Sequence, residues 1–241
     1  FAWVAGCFER LESTMKITRL RHRFSCLLLC GLMSSGGAFA QSQEQAIYAQ
    51  FSNLFTLITE QLSTDQPRYQ RDPGAYGEFI DISVRSSWDV TSTTSALIGK
   101  AQFASLKPDA RQALISAVDR SLVRYAFVGL DYYNGQIFKV VDLVVNEEAG
   151  LGWVQILMES PVIPDINLDL LIKRTSSGVW KAVDIRFKGI TYVSIKKHQY
   201  REIIEKQGVQ ALIALLEKDN STYFDKLCAK SLAKLKGVPP C

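Results

Sequence analysis

The feature that most constrains the fold is a change of hydrophobic period near residue 135. Before it, apolar residues recur at helical spacing. After it, apolar and polar side chains alternate over residues 136–146, 152–159, 166–174 and 179–187, as in β-strands. The connections between these segments are short, so we predict a four-stranded antiparallel meander. Helical patterns return near residue 194, and helices followed by an antiparallel sheet and more helices indicate an α+β fold.

The helices ahead of the sheet are predicted from spacing and from end signals. We expect an amphipathic helix over residues 43–62, a polar loop over 63–77 and a second, mainly helical stretch over 78–99. The sequence Lys107-Pro108-Asp109 marks the start of a central helix, because proline and an acidic residue favour the first turn. The later predicted helices span residues 194–206, 209–218 and about 221–236, with Gly208 as the C-cap between the first two.

The strand patterns predict one apolar and one more polar face for the sheet. Helical apolar faces must cover the apolar side, either as a solid core or with a gap that holds a ligand, and periodicity does not separate these alternatives. The third strand is predicted to present Ile166, Leu168, Leu170 and Ile172 on that side. The fourth is predicted to present Val179, Val183, Ile185 and Phe187, with Trp180, Ala182, Asp184 and Arg186 opposite.

The first 40 residues resemble an export signal. Residue 1 is Phe and the first methionine is Met15, so we interpret residues 1–14 as translated upstream sequence. A basic stretch, an apolar stretch of about ten residues and the sequence Ala38-Phe39-Ala40 follow in the order of a secretory signal peptide. The apolar stretch is too short to span a bilayer. We therefore predict a signal peptide at 15–40 and a single mature domain at 41–241.

Charge and cysteine content narrow the function. The formal net charge is +4, much of it within residues 1–40. The nearly neutral remainder argues against nucleic-acid binding, which requires a basic surplus. Two cysteines, Cys228 and Cys241, remain after the predicted cleavage. They can form a disulfide in an oxidising compartment, and they lack the spacing of a zinc site.

The sequence contains no recognisable catalytic constellation. It has no glycine-rich phosphate loop and no nucleophile elbow, and His198 is the one histidine of the predicted mature chain. We therefore predict no catalytic residue, no metal and no cofactor. Asp131, Tyr132, Tyr133 and Asp142 keep open the alternative of a cavity enzyme, or of a carrier for another apolar molecule such as a sterol or hydrocarbon.

Several motifs resemble those of the MlaC, or toluene-tolerance, family. Residues 178–185 read as its G-x-W-K-x-x-D strand, 188–193 as the following G-[VI]-S segment, and 199–216 as the aromatic-anchored helix, glycine and Leu/Ile-rich helix. Residues 106–111 resemble its T-P-E-Q-R helix start, and Tyr125-Ala126 matches the end of that helix. The resemblance covers about residues 44–218, with Thr191 where the family has serine and Lys196-Lys197 where Tyr-Arg is common.

The resemblance implies a fold, a function and partners. It implies a curved antiparallel sheet with packed helices that enclose an apolar cavity for acyl chains, with the head group near solvent. The implied function is that of a monomeric periplasmic phospholipid-binding carrier that shuttles lipids between membrane-bound transport complexes. Its partners would be an inner-membrane ABC-type transport complex and an outer-membrane lipoprotein complex.

We assign candidate lipid-binding residues from the central helix, the apolar sheet face and the family-like segment. Lys188, Lys196 and Lys197 are candidates for the surroundings of a phosphate head group. The predicted lipid-binding residues are Phe103, Leu114, Val118, Leu122, Tyr125, Leu168, Leu170, Val183, Ile185, Ile190, Tyr192, Val193, Tyr200 and Ile204.

Overall fold

The computed structural model describes residues 37–230, with side chains from 43 to 229. Nearly all of the predicted signal peptide, and Cys241, lie outside this range. Cys228 takes part in a disulfide, and its pairing with Cys241 stays a prediction. The helices are α1 (Gly37–Arg71), α2 (Pro73–Phe79), α3 (Val90–Ile98), α4 (Lys100–Ser105), α5 (Pro108–Asp131), α6 (Tyr192–Gln207) and α7 (Val209–Lys230).

The strands form one antiparallel sheet, and the predicted α+β plan is confirmed. They are β1 (Ile137–Asn146), β2 (Leu151–Glu159), β3 (Ile166–Arg174), β4 (Trp180–Phe187) and the short β5 (Ile190–Thr191). Their spatial order follows the chain from β1 to β5, each paired with the next. The four predicted strands are therefore present, and the two-residue β5 extends the sheet beyond them.

The prediction of a polar loop over residues 63–77 is wrong. Helix α1 continues through Pro67 to Arg71, and only Asp72 separates it from α2. The Asp72 side chain caps α2 by accepting a hydrogen bond from the Ala75 backbone N–H. Tyr69 is buried and its ring lies 5.2 Å from that of Tyr76. These aromatic contacts outweigh the local turn signals of a polar, proline-bearing segment.

The link between α2 and α3 is an irregular helical segment that is first wider and then narrower than an α-helix. A single π-helical stretch, Ile80–Val84, passes into a 3₁₀ turn at Arg85–Ser87. Trp88 then bridges to Ala182 of β4, and the Asp89 N–H donates to the Ala182 carbonyl over 2.7 Å. This segment thereby runs beside the start of β4.

The prediction of which β4 residues share a face is wrong, because β4 contains a β-bulge. The register passes from Leu171 opposite Asp184 to Ile172 opposite Ala182, so Val183 is an extra residue without a partner. Trp180 and Ala182 therefore face the core, contrary to the prediction, and Val179 is exposed. A bulge reverses the alternation because side chains on either side of the extra residue swap faces.

The buried residues form two clusters. The first lies between the inner face of the sheet and helices α1, α2 and the second half of α5. The second joins α3, the first half of α5, α6 and α7. Gly208 separates α6 from α7 as predicted, with a positive φ of 83° and its N–H bonded to the Ile204 carbonyl.

None of the helices within residues 37–230 is both long and apolar enough to cross a bilayer.

Candidate functional site

Two adjoining apolar cavities lie in the interior, one within the first cluster and one at its boundary with the second. One, of about 190 Å³, lies between α1, α2, the second half of α5 and the sheet, and we call it the inner cavity. The other, of about 170 Å³, lies nearer to β5 and α6, and we call it the outer cavity. Both have walls that are mostly hydrocarbon, so they favour apolar ligands over water.

The inner cavity is built by helical residues that face the sheet. Helix α1 contributes one continuous stripe at helical spacing, and the sheet contributes side chains from β1, β3 and β4. The main wall residues are Leu54, Phe55, Ile58, Leu62, Tyr76, Phe79, Leu130, Tyr133, Phe138, Leu170 and Ala182.

The outer cavity is built by the second half of α5 and by the ends of β3 and β4. Tyr125 and Tyr192 close one side, with ring centroids 5.7 Å apart in an edge-to-face contact. The further wall residues include Val90, Leu122, Val123, Leu168 and Phe187.

Five residues line both cavities and form the partition between them. Two of them, Ile80 and Val84, begin and end the π-helical stretch. A π-helical turn widens the helix and changes the direction of its side chains, which is why such turns recur at functional sites. The full set is Ile80, Val84, Trp88, Ala126 and Ile185.

Polar groups in the walls are few and mostly satisfied. The Tyr76 hydroxyl donates to the Ala126 carbonyl over 3.1 Å, and the Trp88 indole N–H donates to Thr93 over 2.9 Å. Burial raises the pKa of Tyr76 and of Tyr133, so both hydroxyls stay neutral at physiological pH. The walls therefore offer little fixed hydrogen bonding to a ligand.

One ion pair lies at the edge of the outer cavity. Arg85 donates from Nε and Nη2 to the two carboxylate oxygens of Asp119, and from Nη1 to Asp81 over 2.7 Å. The hydrogen bonds to Asp81 and Asp119 raise the pKa of the Arg85 guanidinium. This ion-pair triad fixes the 3₁₀ turn to helix α5.

The acidic residue of the family-like strand motif has a structural place. Asp184 is buried on β4, and its Oδ1 accepts from the N–H groups of Ile185 at 2.9 Å and Val193 at 3.2 Å. Burial raises the pKa of this carboxyl, against the lowering effect of these bonds. Asp184 thus attaches the start of α6 to the sheet and does not line either cavity.

Six of the fourteen predicted lipid-binding residues lie in the cavity walls. Ile185 lines both cavities. Leu170 lines the inner cavity, and the other four line the outer one: Leu122, Tyr125, Leu168 and Tyr192.

The remaining eight lie outside these walls. Leu114, Val118, Tyr200 and Ile204 are buried in the second cluster, and Phe103 and Val193 pack against it. Val183 is the bulge residue of β4, and Ile190 is 39% exposed. The sequence showed these positions as apolar but not which of two clusters each would join.

Sequence reasoning missed the contribution of α1 and α2. The apolar face of residues 43–62 carries the signal, since Leu54, Phe55 and Ile58 lie on it at helical spacing. Tyr76 and Phe79 fell in or beside the segment expected to be a loop. The π-helical partition had no recognisable signal in the sequence.

The candidate groups for acid–base chemistry do not converge on the cavities. Asp131, Tyr132, Asp142 and His198 are exposed, and Tyr133 alone of that group lines a wall. Within residues 43–229, no group of three or more His, Cys, Asp or Glu side chains is placed to hold a metal ion. Lys188 lies with its Nζ 5.4 Å from the ring centroid of Phe187, which lines the outer cavity.

Comparison with known proteins agrees with this architecture. The family model described as MlaC protein matches residues 52–218. A solved structure of a phospholipid-binding protein from Ralstonia solanacearum, in complex with a phospholipid, superposes with a TM-score of 0.64 at 18% identity. The match covers 73% of this chain and 97% of that protein.

Proposed function

This chain belongs to the MlaC family, and from that premise we propose that it is a phospholipid-binding carrier of the periplasm. The observation that carries the proposal is the pair of apolar cavities, partitioned by Ile80, Val84 and Ile185, between the helices and the inner face of the sheet. The likeness in fold to the Ralstonia protein supports the same interpretation. The predicted signal peptide supports export.

The energetics of lipid transfer explain the lining. A two-chain phospholipid has about 30 methylene groups, and each is worth ~0.8 kcal/mol when it leaves water. Free diffusion across an aqueous compartment would therefore cost ~20 kcal/mol or more. A cavity with hydrocarbon walls and few fixed hydrogen bonds removes that cost while it still permits release.

The cavity volumes imply a change of shape on loading. Volumes of about 170 and 190 Å³ lie below the usual range of ~300–1,000 Å³ for single ligand pockets. Two full acyl chains therefore require the walls to separate. The partition is the element to move, because Ile80, Val84 and Trp88 belong to a short irregular segment and not to a long helix or a central strand.

We further propose that the carrier exchanges lipid with an inner-membrane ABC-type transport complex and an outer-membrane lipoprotein complex. The family membership supports this step. A cavity enzyme receives less support, since Asp131 and Asp142 are exposed and outside the cavity walls.

The proposed function is tested with a substitution that fills part of the cavity space. Ala126 lies at the partition, and Ala126→Phe places a ring in space that the lipid chains need. Wild-type protein purified from a bacterial periplasm should yield stoichiometric phospholipid on solvent extraction and should take lipid from vesicles. We expect Ala126→Phe to reduce lipid per protein at least severalfold without loss of thermal stability, because the ring fills free space.

Ala214→Phe is the matched control, since Ala214 is an exposed position on helix α7. It should load lipid like the wild type. Wild-type protein that carries no phospholipid and takes none from vesicles would contradict the proposed function. Normal loading by a folded Ala126→Phe variant would contradict the assignment of the site.

A further inference from the structure

An open polar groove lies beside the outer cavity. It has a volume of about 1010 Å³ and lies between the β3–β4 hairpin, the first half of α5 and the segment before α3. Four residues, Arg85, Trp88, Val90 and Asp119, line both the groove and the outer cavity. The groove and the outer cavity therefore adjoin across a shared wall, of which Arg85 and Asp119 are the polar part.

The hairpin wall of this groove is basic. Lys173 and Arg174 end β3, and Lys181 faces them from β4. Among the described residues, no carboxylate lies within ion-pair distance of these three cations. Lys173 donates instead to the Ser92 hydroxyl over 2.9 Å, and Arg174 to the Glu147 carbonyl over 3.0 Å.

The acidic residues of the groove are already engaged. Asp81 and Asp119 both accept from Arg85, and Asp89 accepts from the Ser92 N–H at the start of α3. These three carboxylates keep their charge, so the four cations of the groove (Arg85, Lys173, Arg174 and Lys181) exceed them by one, and the excess lies on the hairpin wall.

The two lysines are arranged unfavourably for the isolated sheet. Lys173 and Lys181 are directly opposite in the antiparallel register of β3 and β4. Like charges in such a pair destabilise a sheet. A bound anion between them would convert this repulsion into two attractions.

Arg85 supplies further donors at the junction of groove and cavity. Three of the five N–H donors of a guanidinium are used, on Asp119 and Asp81, and its side chain is 44% exposed. The two remaining N–H donors can hydrogen-bond a headgroup oxygen, but the triad with Asp81 and Asp119 has a net charge of −1 and gives no net attraction to a phosphate.

We propose that this groove is the headgroup site, and that it favours phospholipids with a net negative headgroup over zwitterionic ones. The proposal rests on the proposed function. The headgroup passes Arg85 at the shared wall, and its terminal part extends toward Lys173 and Lys181. An ammonium at that end would meet two like charges, whereas a glycerol or a second anionic group would not.

The experiment is a competition between two lipids. Lipid-stripped protein is incubated with vesicles of equal parts phosphatidylglycerol and phosphatidylcholine with identical acyl chains, and the bound lipids are quantified by mass spectrometry. We expect about fivefold enrichment of phosphatidylglycerol, the size of one partly exposed ion pair. High salt should reduce the enrichment because it screens exposed charges.

Variants locate the source of the preference. Lys173→Gln with Lys181→Gln should bring the lipid ratio close to that of the vesicles. Lys173→Arg with Lys181→Arg should keep the enrichment. Lys218→Gln with Lys226→Gln removes the same charge from exposed positions of α7 outside the groove and cavities, and should also keep it.

The outcomes separate the two proposals. Equal uptake of both lipids by the wild type, or enrichment that survives the double glutamine change, overturns the headgroup site alone. Failure to load either lipid overturns the carrier function as well. Glycerol phosphate is the probe for a free phosphate source: saturation of the lipid-stripped protein at micromolar concentration, without lipid preference, would overturn the headgroup assignment.

Discussion

The two halves of helix α5 pack in different ways. In the first half, Leu114, Ala117 and Val118 are buried in the solid second cluster with α3, α6 and α7. In the second half, Leu122, Ala126 and neighbouring residues face the cavities. The same helical stripe thus passes from a close-packed core to the wall of an apolar space.

The difference shows what creates the cavities. Helices α6 and α7 pack directly on the first half of α5, where ridges and grooves can interdigitate. The second half faces a sheet across a gap that the irregular segment Ile80–Ser87 only partly fills. One region therefore gives rigidity, and the other gives room for a ligand.

The largest expected contrast is between two leucines of α5. Leu114→Ala should lower the free energy of unfolding by about 3 kcal/mol, because it opens a void in a close-packed core. Leu122→Ala should cost only about 1 kcal/mol, because Leu122 already borders free space and makes fewer contacts there. Urea unfolding measures both. Equal losses would show that the two regions are packed alike.

A second contrast concerns polar contacts. Asn220 is fully buried between α5 and α7, where it donates to the Ala117 carbonyl over 3.0 Å and accepts from Ser121. Gln66, at the half-buried rim of the cavity region, donates to the Tyr133 carbonyl over 2.7 Å. Asn220→Ala should cost about 2 kcal/mol and Gln66→Ala about 1 kcal/mol, since water can replace only the second bond.

These losses are read from equilibrium unfolding of each variant, with lipid loading as a second readout. Asn220→Ala should leave lipid per folded protein unchanged, because Asn220 lies outside both cavities. A larger loss for Gln66→Ala than for Asn220→Ala would contradict the division into a solid and an open region.

The smallest expected effect is a pH dependence at Asp184, which ties the two regions together. Its carboxyl has a pKa raised by burial, so the folded state binds the proton more tightly than the unfolded state. Its contribution to stability is full below the ordinary pKa and is lost as pH rises through the folded value.

Comparison with Asp184→Asn isolates this contribution. The stability of the wild type relative to the variant should fall as pH rises from below 4 into the weakly acidic range, and then stay constant. Thermal or urea unfolding across that range measures the difference. A difference that instead grows with pH would mean that hydrogen bonds, not burial, dominate the ionisation of this carboxyl.

The prediction of elements from the sequence succeeded where the signal is local. Strands β1 to β4 follow from alternation, the start of α5 from Pro108, and the separation of α6 from α7 from Gly208. Each depends on the chemistry of a few neighbouring residues. The limits of α1 and the faces of β4 were mispredicted, because aromatic packing around Tyr69 and the bulge at Val183 depend on distant segments.

The sequence by itself determined that apolar stripes on helices would cover one face of an antiparallel meander, because the spacing of apolar residues can be recognised within each segment. Only the tertiary structure decided which stripes meet closely and which leave a gap. Leu114 and Leu122 are the same residue type on the same helix, yet Leu114 is fully buried in the second cluster, whereas Leu122 packs at the edge of that cluster and lines the outer cavity. Packing is a property of pairs of surfaces, and a single chain segment does not specify its partner's shape.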